Sequence, residues 1–207
     1  AIGAMAQAVT LRAVALGAGS NASGLGGVAI GGLSTASGTT SVAVGNMSQA
    51  SGGSSTVVGN MSQASGGSST VVGAGSQASG SSTVAIGFNS QAGDTGNIAI
   101  GNAALAKNAA GNIAIGNTAD VTGGGSTTGD AIGIGRSVTA RGTGSISLGA
   151  AANVTDDRGI RIGVVDGGDG VAGSGGNMGS DAISIGTNVI ARGQSIAIGR
   201  GCTADND

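Results

Sequence analysis

A glycine returns every 14 residues through the first half of this chain, at Gly3, Gly17, Gly31, Gly45, Gly59, Gly73, Gly87 and Gly101. A fixed period of that length requires a stack of near-identical units, each burying its apolar face against its neighbours. Almost every one of these glycines closes a short apolar run, as in Val28-Ala29-Ile30-Gly31 and Ile98-Ala99-Ile100-Gly101, with large aliphatic residues one and three places before the glycine. That alternation has the period of a strand. A smaller pair follows three and five places after it, at Ser34 and Ala36, Ser48 and Ala50, Ser62 and Ala64, and Ser76 and Ala78, giving a second strand per unit. A further glycine seven places on, at Gly24, Gly38, Gly52, Gly66 and Gly80, marks the turn between the strands. The segment Gly45 to Val58 recurs letter for letter as Gly59 to Val72.

Past residue 101 the closing glycines continue as Gly116, Gly135, Gly149, Gly163, Gly186 and Gly199, at intervals of 13 to 23 residues. The whole chain, 1–207, therefore reads as a single repeat array of about 14 coils, regular over 1–116 and carrying inserted loops over 117–207. Insertions leave a solenoid as surface loops. The two longest place Ala119 to Asp130 and Val164 to Asp181 outside the stack, and make Asp166, Asp169, Asn177, Ser180, Thr122, Ser126, Thr127 and Thr128 candidate ligand-contact residues.

Composition agrees with thin, repeated layers. The chain holds 46 Gly, no Pro, no His, no Trp, no Tyr and one Phe, so no aromatic core exists to be built. Disorder would require few β-branched residues and high net charge, whereas the net charge is only −2 and the mean hydropathy is +0.28. The fold expected is an all-β parallel β-solenoid. By hydrophobicity alone its interior should hold the larger aliphatic residues of the first strand: Val28, Ile30, Val42, Val44, Val84, Ile86, Ile98, Ile100, Ile113, Ile115, Ile183, Ile185, Ile196 and Ile198. An aspartate at position 100 would then bury an unpaired charge. The residue between each large pair, such as Ala15, Ala29, Ala43, Ala85 or Ala99, should point the other way, forming a small file suited to close packing of one chain on another. Arg161 interrupts that file, which implies either partial solvation or an accompanying Asp156 or Asp157. Arg12 is the only charge in the first 93 residues, and so uncharged a strand surface is better explained if identical neighbours cover it.

The unit Gly-x-x-Ser-x-Ala-x-Gly followed by Ser-x-Val-Ala-Ile-Gly, intact from Gly31 to Gly45, resembles the head repeat of YadA-like trimeric autotransporter adhesins along essentially the whole chain. The resemblance implies a left-handed parallel β-roll, a homotrimer, display on the outer surface of a Gram-negative bacterium, and attachment to host matrix proteins such as collagen or to cell-surface receptors. That family also carries a coiled-coil stalk and a membrane-anchoring barrel. Neither is seen in these residues, which start and stop in mid-repeat and read as a segment of something longer, with no direct membrane insertion of its own.

Other functions fit less well. With no His, no Glu and a single Cys, no acid–base or nucleophilic set is available, and neither a cofactor nor a metal is expected. A sequence pI of 4.8 and eight dispersed basic residues disfavour nucleic acid. Cys202 takes the third place after Gly199, where Ser stands elsewhere, and is expected as a structural thiol facing inward. A phage tail-fibre segment would share this composition. An ice-binding solenoid would need long exposed Thr files, for which Thr56, Thr70 and Thr83 are the candidates.

Overall fold

The computed structural model describes residues 1–122, 129–164 and 181–205 and divides into two compact units, Ala1–Ala103 and Ala104–Asp207. Both units are built from parallel strands of two to five residues, wound so that each strand pairs with the corresponding strand one repeat later.

In the first unit one sheet consists of Val14–Leu16, Val28–Ile30, Val42–Val44, Thr56–Val58, Thr70–Val72, Val84–Ile86 and Ile98–Ile100. Each residue pairs with its counterpart 14 places on, as Val28 with Val42 and Ala29 with Ala43. The second sheet runs through the two-residue strands Gln7–Ala8, Asn21–Ala22, Thr35–Ala36, Gln49–Ala50, Gln63–Ala64, Gln77–Ala78 and Gln91–Ala92 in the same register. The β-solenoid expected from the period is the fold observed.

What fills the solenoid differs from the expectation in the first sheet. Val28, Ile30, Val42, Val44, Val84, Ile98, Ile100, Ile113, Ile115, Ile183 and Ile185 are only half-buried, and Ile86, Ile196 and Ile198 are exposed. The residues between them are the ones inside: Ala15, Ala29, Ala43, Val57, Val71, Ala85 and Ala99 are all at most 1% exposed. Size decides this. The facing strand contributes Ser34 and Ala36, or their equivalents, also fully buried, and two sheets lined by such short side chains lie too close to admit Ile. A strand shows alternate residues to opposite faces, so exchanging the inward set moves every large residue outward at once. The small file expected to pack against other chains is thus interior, and an aspartate at position 100 would face outward, the cost of a buried charge attaching to Ala99 instead. At Gly133 the interior is tightest: a Cβ there would lie 2.6 Å from Val121 Cγ2 and 3.3 Å from Val138 Cγ1, so two valines opposite are matched by a glycine.

The buried hydroxyls bond to the turns. Ser20, Ser34 and Ser48 each donate to the carbonyl of their closing glycine at 2.9 Å, while Ser41, Ser55 and Ser69 donate to Gly38, Gly52 and Gly66 at 2.7 Å. These six buried hydroxyls therefore satisfy the carbonyls of the corners rather than bonding along their own file. The closing glycines have positive φ, 138° at Gly45 for instance. Those seven places later are required for a different reason than chain flexibility: Gly38 has no positive φ, but a Cβ on it would sit 2.1 Å from the Gly52 carbonyl oxygen of the next coil.

The second unit repeats the plan with Ile113–Ile115, Ile132–Ile134, Ile146–Leu148, Ile160–Ile162, Ile183–Thr187 and Ile196–Arg200 in the first sheet. Its second sheet joins Leu105–Lys107, Asp120–Thr122, Thr139–Ala140 and Asn153–Val154 in succession, and Ile190–Ala191 pairs separately with Thr203–Ala204. The segment from Ala119, expected as an external loop, begins instead as a regular strand, with Ala119 and Val121 fully buried. Arg161 is inward and only 7% exposed, and neither Asp156 nor Asp157 accompanies it. Asp157 instead accepts from the Thr143 amide at 2.8 Å.

Candidate attachment surface

Because the interior takes the small residues, the first unit turns two very different faces outward. The first sheet presents paired aliphatic files. In the first unit these run through Val14 and Leu16, Val28 and Ile30, Val42 and Val44, Thr56 and Val58, Thr70 and Val72, Val84 and Ile86, and Ile98 and Ile100. No charged residue interrupts this ribbon. An exposed aliphatic strip broken only by Thr56 and Thr70 marks a surface suited to being covered.

The second sheet presents a polar, uncharged file. Asn21, Thr35, Gln49, Gln63, Gln77 and Gln91 stand in direct register, and Gln63 Nε2 donates to Gln49 Oε1 at 3.4 Å. The strand is only two residues long here and its alanine points inward, so the amide side chain is what each coil offers to solvent. A column of amides at a spacing of about 4.8 Å gives many equivalent donors and acceptors along one line.

The corners between the sheets carry strained, exposed residues. Met5, Leu33, Met47, Met61 and Asn89 occupy the left-handed region of backbone space, with φ of 53° to 57°, at one corner; Thr40, Ser54, Ser68 and Ser82 do so at the other, with φ of 53° to 56°. Leu33 and Met61 are both 60% exposed. Glycine fills the first position at Gly19 and Gly75, so the turn does not need a particular side chain there.

In the second unit exposed ion pairs link successive coils. Arg141 Nη2 lies 2.6 Å from Asp120 Oδ2 and Arg192 Nη1 lies 2.8 Å from Asp205 Oδ1, while Arg158 forks onto both oxygens of Asp181. The hydrogen bond from Arg158 holds the Asp181 carboxyl below its usual pKa, and partial burial pushes that of Asp156 up. Surface pairs of this kind contribute little to stability.

Of the candidate contact residues, Thr122 is the one the structure describes. It is half-buried on the outer face of the second sheet, donating to Asp120 Oδ1 at 2.6 Å, in the same network as Arg141. Asp166, Asp169, Asn177, Ser180, Ser126, Thr127 and Thr128 lie outside the described residues. The threonine file considered for ice binding is not a file. Thr56 pairs with Thr70 and Thr70 with Val84, whereas Thr83 is buried and donates to the Gly80 carbonyl. Cys202 is a free, half-buried thiol against the cluster of Val154, Ala182, Val189, Ala191 and Ala197. Among the described residues no group of three or more His, Cys, Asp or Glu is placed to hold a metal ion, and no helix is long and apolar enough to cross a membrane.

The glutamine file and the outward aliphatic ribbon were both missed by reasoning from hydrophobicity, although the sequence carried a signal. Ser41, Ser55 and Ser69, four places before their closing glycines, share parity with the residue two places before, so a buried Ser41 obliges Ala43, and not Val42 or Val44, to be inside.

The family described as YadA head domain repeat (2 copies) matches residues 1–20, 22–48, 36–62, 50–76, 64–90, 78–104 and 140–163 of this chain. Among curated proteins no match is found.

Proposed function

Since the chain belongs to the YadA head domain repeat family, we propose that it is the non-catalytic head of a bacterial surface adhesin, assembled as a homotrimer through its aliphatic ribbon and attaching by its polar file and corners. The observation that carries this reading is the separation of the two faces. Uncharged Val, Leu and Ile on one sheet suit permanent burial against other copies of the chain, and a closed three-fold ring brings an identical ribbon from each copy toward the common axis. Gln, Asn and Thr on the other sheet suit hydrated, reversible contact.

Attachment of this kind is multivalent. One amide contact is weak, but a column of them repeated on three chains raises the combined affinity by orders of magnitude without any single deep pocket. The family resemblance implies a host matrix protein such as collagen as the partner, and an evenly spaced column of side-chain amides offers an extended chain repeated hydrogen-bond partners. Placement at the outer surface of a Gram-negative cell, anchored through other parts of a longer protein, follows from the same family reading.

The test is retention of the chain on surfaces coated with matrix proteins. Wild type should be held on a collagen coat, and the triple variant Gln49→Arg, Gln63→Arg, Gln77→Arg should lose about tenfold or more, because like charges one coil apart repel and the amide ladder is gone. Equal retention of the triple variant, with its fold intact by circular dichroism, would remove the polar file from the binding surface.

A further inference from the structure

One outward column of the aliphatic ribbon is not uniform. The residue that opens each strand of the first sheet is valine or isoleucine in every other described strand, as at Val28, Val42, Val84 and Ile98, but Thr56 and Thr70 hold that place in two successive coils. Both are half-buried, and among the described residues neither hydroxyl has a hydrogen-bond partner. The other column, through Ile30, Val44, Val58, Val72, Ile86 and Ile100, has no such break.

On a solvated face two threonines need no comment. Under other copies of the chain they bear on what fixes one copy against the next along the stack. A ribbon that repeats every 14 residues, with Gly45 to Val58 recurring letter for letter as Gly59 to Val72, looks almost the same after a shift of one coil. No charged residue between Ala13 and Gly93 forbids that shift. Closure of a three-fold ring asks only that the shifts around it cancel, so a trimer with one copy displaced by one coil also closes, forfeiting the ribbon contact of a single coil.

Hydroxyls remove this degeneracy. Where one column from three copies converges on a three-fold axis, the three Thr56 hydroxyls lie together, and each both donates to the next and accepts from the last. Displacement by one coil would set Thr70 of one copy against Val84 of another and Thr56 against Val42, with a Thr56 to Thr70 contact surviving; displacement by two coils would leave none. A buried hydroxyl without a partner is costly, whereas replacing all the partners by apolar groups of the same shape is not. A polar residue in an otherwise apolar seam selects the register of a coiled coil in this way, at some expense of stability.

We propose that Thr56 and Thr70 set the axial register between copies of the chain, and that the column holding them is the one facing the symmetry axis. This rests on the reading of the aliphatic ribbon as the surface between copies. Off the axis each hydroxyl would meet the unbroken column of a neighbour and find no partner at any register, so the axis is the place where threonine and burial are compatible.

Disulfide mapping tests this, in a chain whose own thiol is removed by Cys202→Ser. Chains carrying Val28→Cys and chains carrying Val42→Cys are produced together, oxidised in air, and their links identified by peptide mass spectrometry. Copies in register join position 28 to 28 and 42 to 42, while a shift of one coil joins 28 to 42. A disulfide needs β-carbons about 3.8 Å apart, which rungs about 4.8 Å apart deny to unlike positions in register. With Thr56 and Thr70 intact, links between like positions should predominate. Thr56→Val combined with Thr70→Val keeps the side-chain size and should raise the 28-to-42 link about tenfold, while the Tm of the trimer holds or rises by about 2–5 °C. A link pattern unchanged by the double variant, or trimers with no link at either position, would overturn the proposal and leave the assembly standing. Sedimentation of the unsubstituted chain as single copies would overturn the ribbon reading, and this proposal with it.

Discussion

Ala43→Asp should unfold the coils around it, whereas Val44→Asp, one residue along the same strand, should leave the chain folded and prevent its assembly. Ala43 is fully buried between Ala29 and Val57 in its own sheet and faces the buried Ser and Ala of the other. A carboxylate there has no cation near it and no space, so the cost is on the order of 4 kcal/mol or more. In a repeat array that loss falls first on neighbouring coils, and melting should become broad and begin early. Val44 is half-buried and outward. Aspartate is tolerated there in an isolated chain, but a like charge from every copy then meets within the ribbon, and sedimentation should report single chains of 18.8 kDa. Melting of Ala43→Asp indistinguishable from wild type would return the large aliphatic residues to the interior.

Gly45→Ala should cost about 3 kcal/mol or more, while Gly53→Ala, eight residues on, should be neutral or slightly stabilising. Two penalties coincide at Gly45. Its φ of 138° belongs to a region that residues with a Cβ scarcely enter, and the added carbon would lie 2.2 Å from the Gly59 carbonyl oxygen and 2.6 Å from its carbon. That neighbour is backbone held in a sheet, with no side chain to swing aside, so the coils would have to separate. Gly53 has no positive φ, and a Cβ on it would meet only the Thr39 carbonyl oxygen at 4.0 Å. Removing its freedom in the unfolded chain contributes about 0.4–1 kcal/mol in favour of the fold. Denaturant melts of the two variants provide the check, and equal stability of both would show that the glycine period is not structural.

The repeat made much of this fold legible. Glycine spacing located the strands and corners, and the inward Ser and Ala of the second sheet, such as Ser34 and Ala36, were read correctly because both inward candidates there are small. The first sheet was read inside out, because alternation is the same whichever face is buried, and the rule that large aliphatic residues go inside presumes a core wide enough to hold them. Here both facing strands are lined by Ala and Ser, and Val44 or Ile30 has its place outside. The polar file of Gln49, Gln63 and Gln77 passed unnoticed for a related reason: a two-residue strand leaves only one outward side chain per coil, too little for a pattern within any single repeat. Arg161 could be seen in the sequence as an exception to its file, but its isolation from Asp156 and Asp157 depends on side-chain placement that spacing does not determine.

Photochemical cross-linking from single positions bears most directly on the claim that the aliphatic ribbon faces outward and is covered by further copies of the chain. With p-benzoylphenylalanine at Val44, irradiation should join chains to one another at high yield, and with the same group at Gln49, on the polar sheet, it should not. Cross-links from Gln49 with none from Val44 would contradict the account.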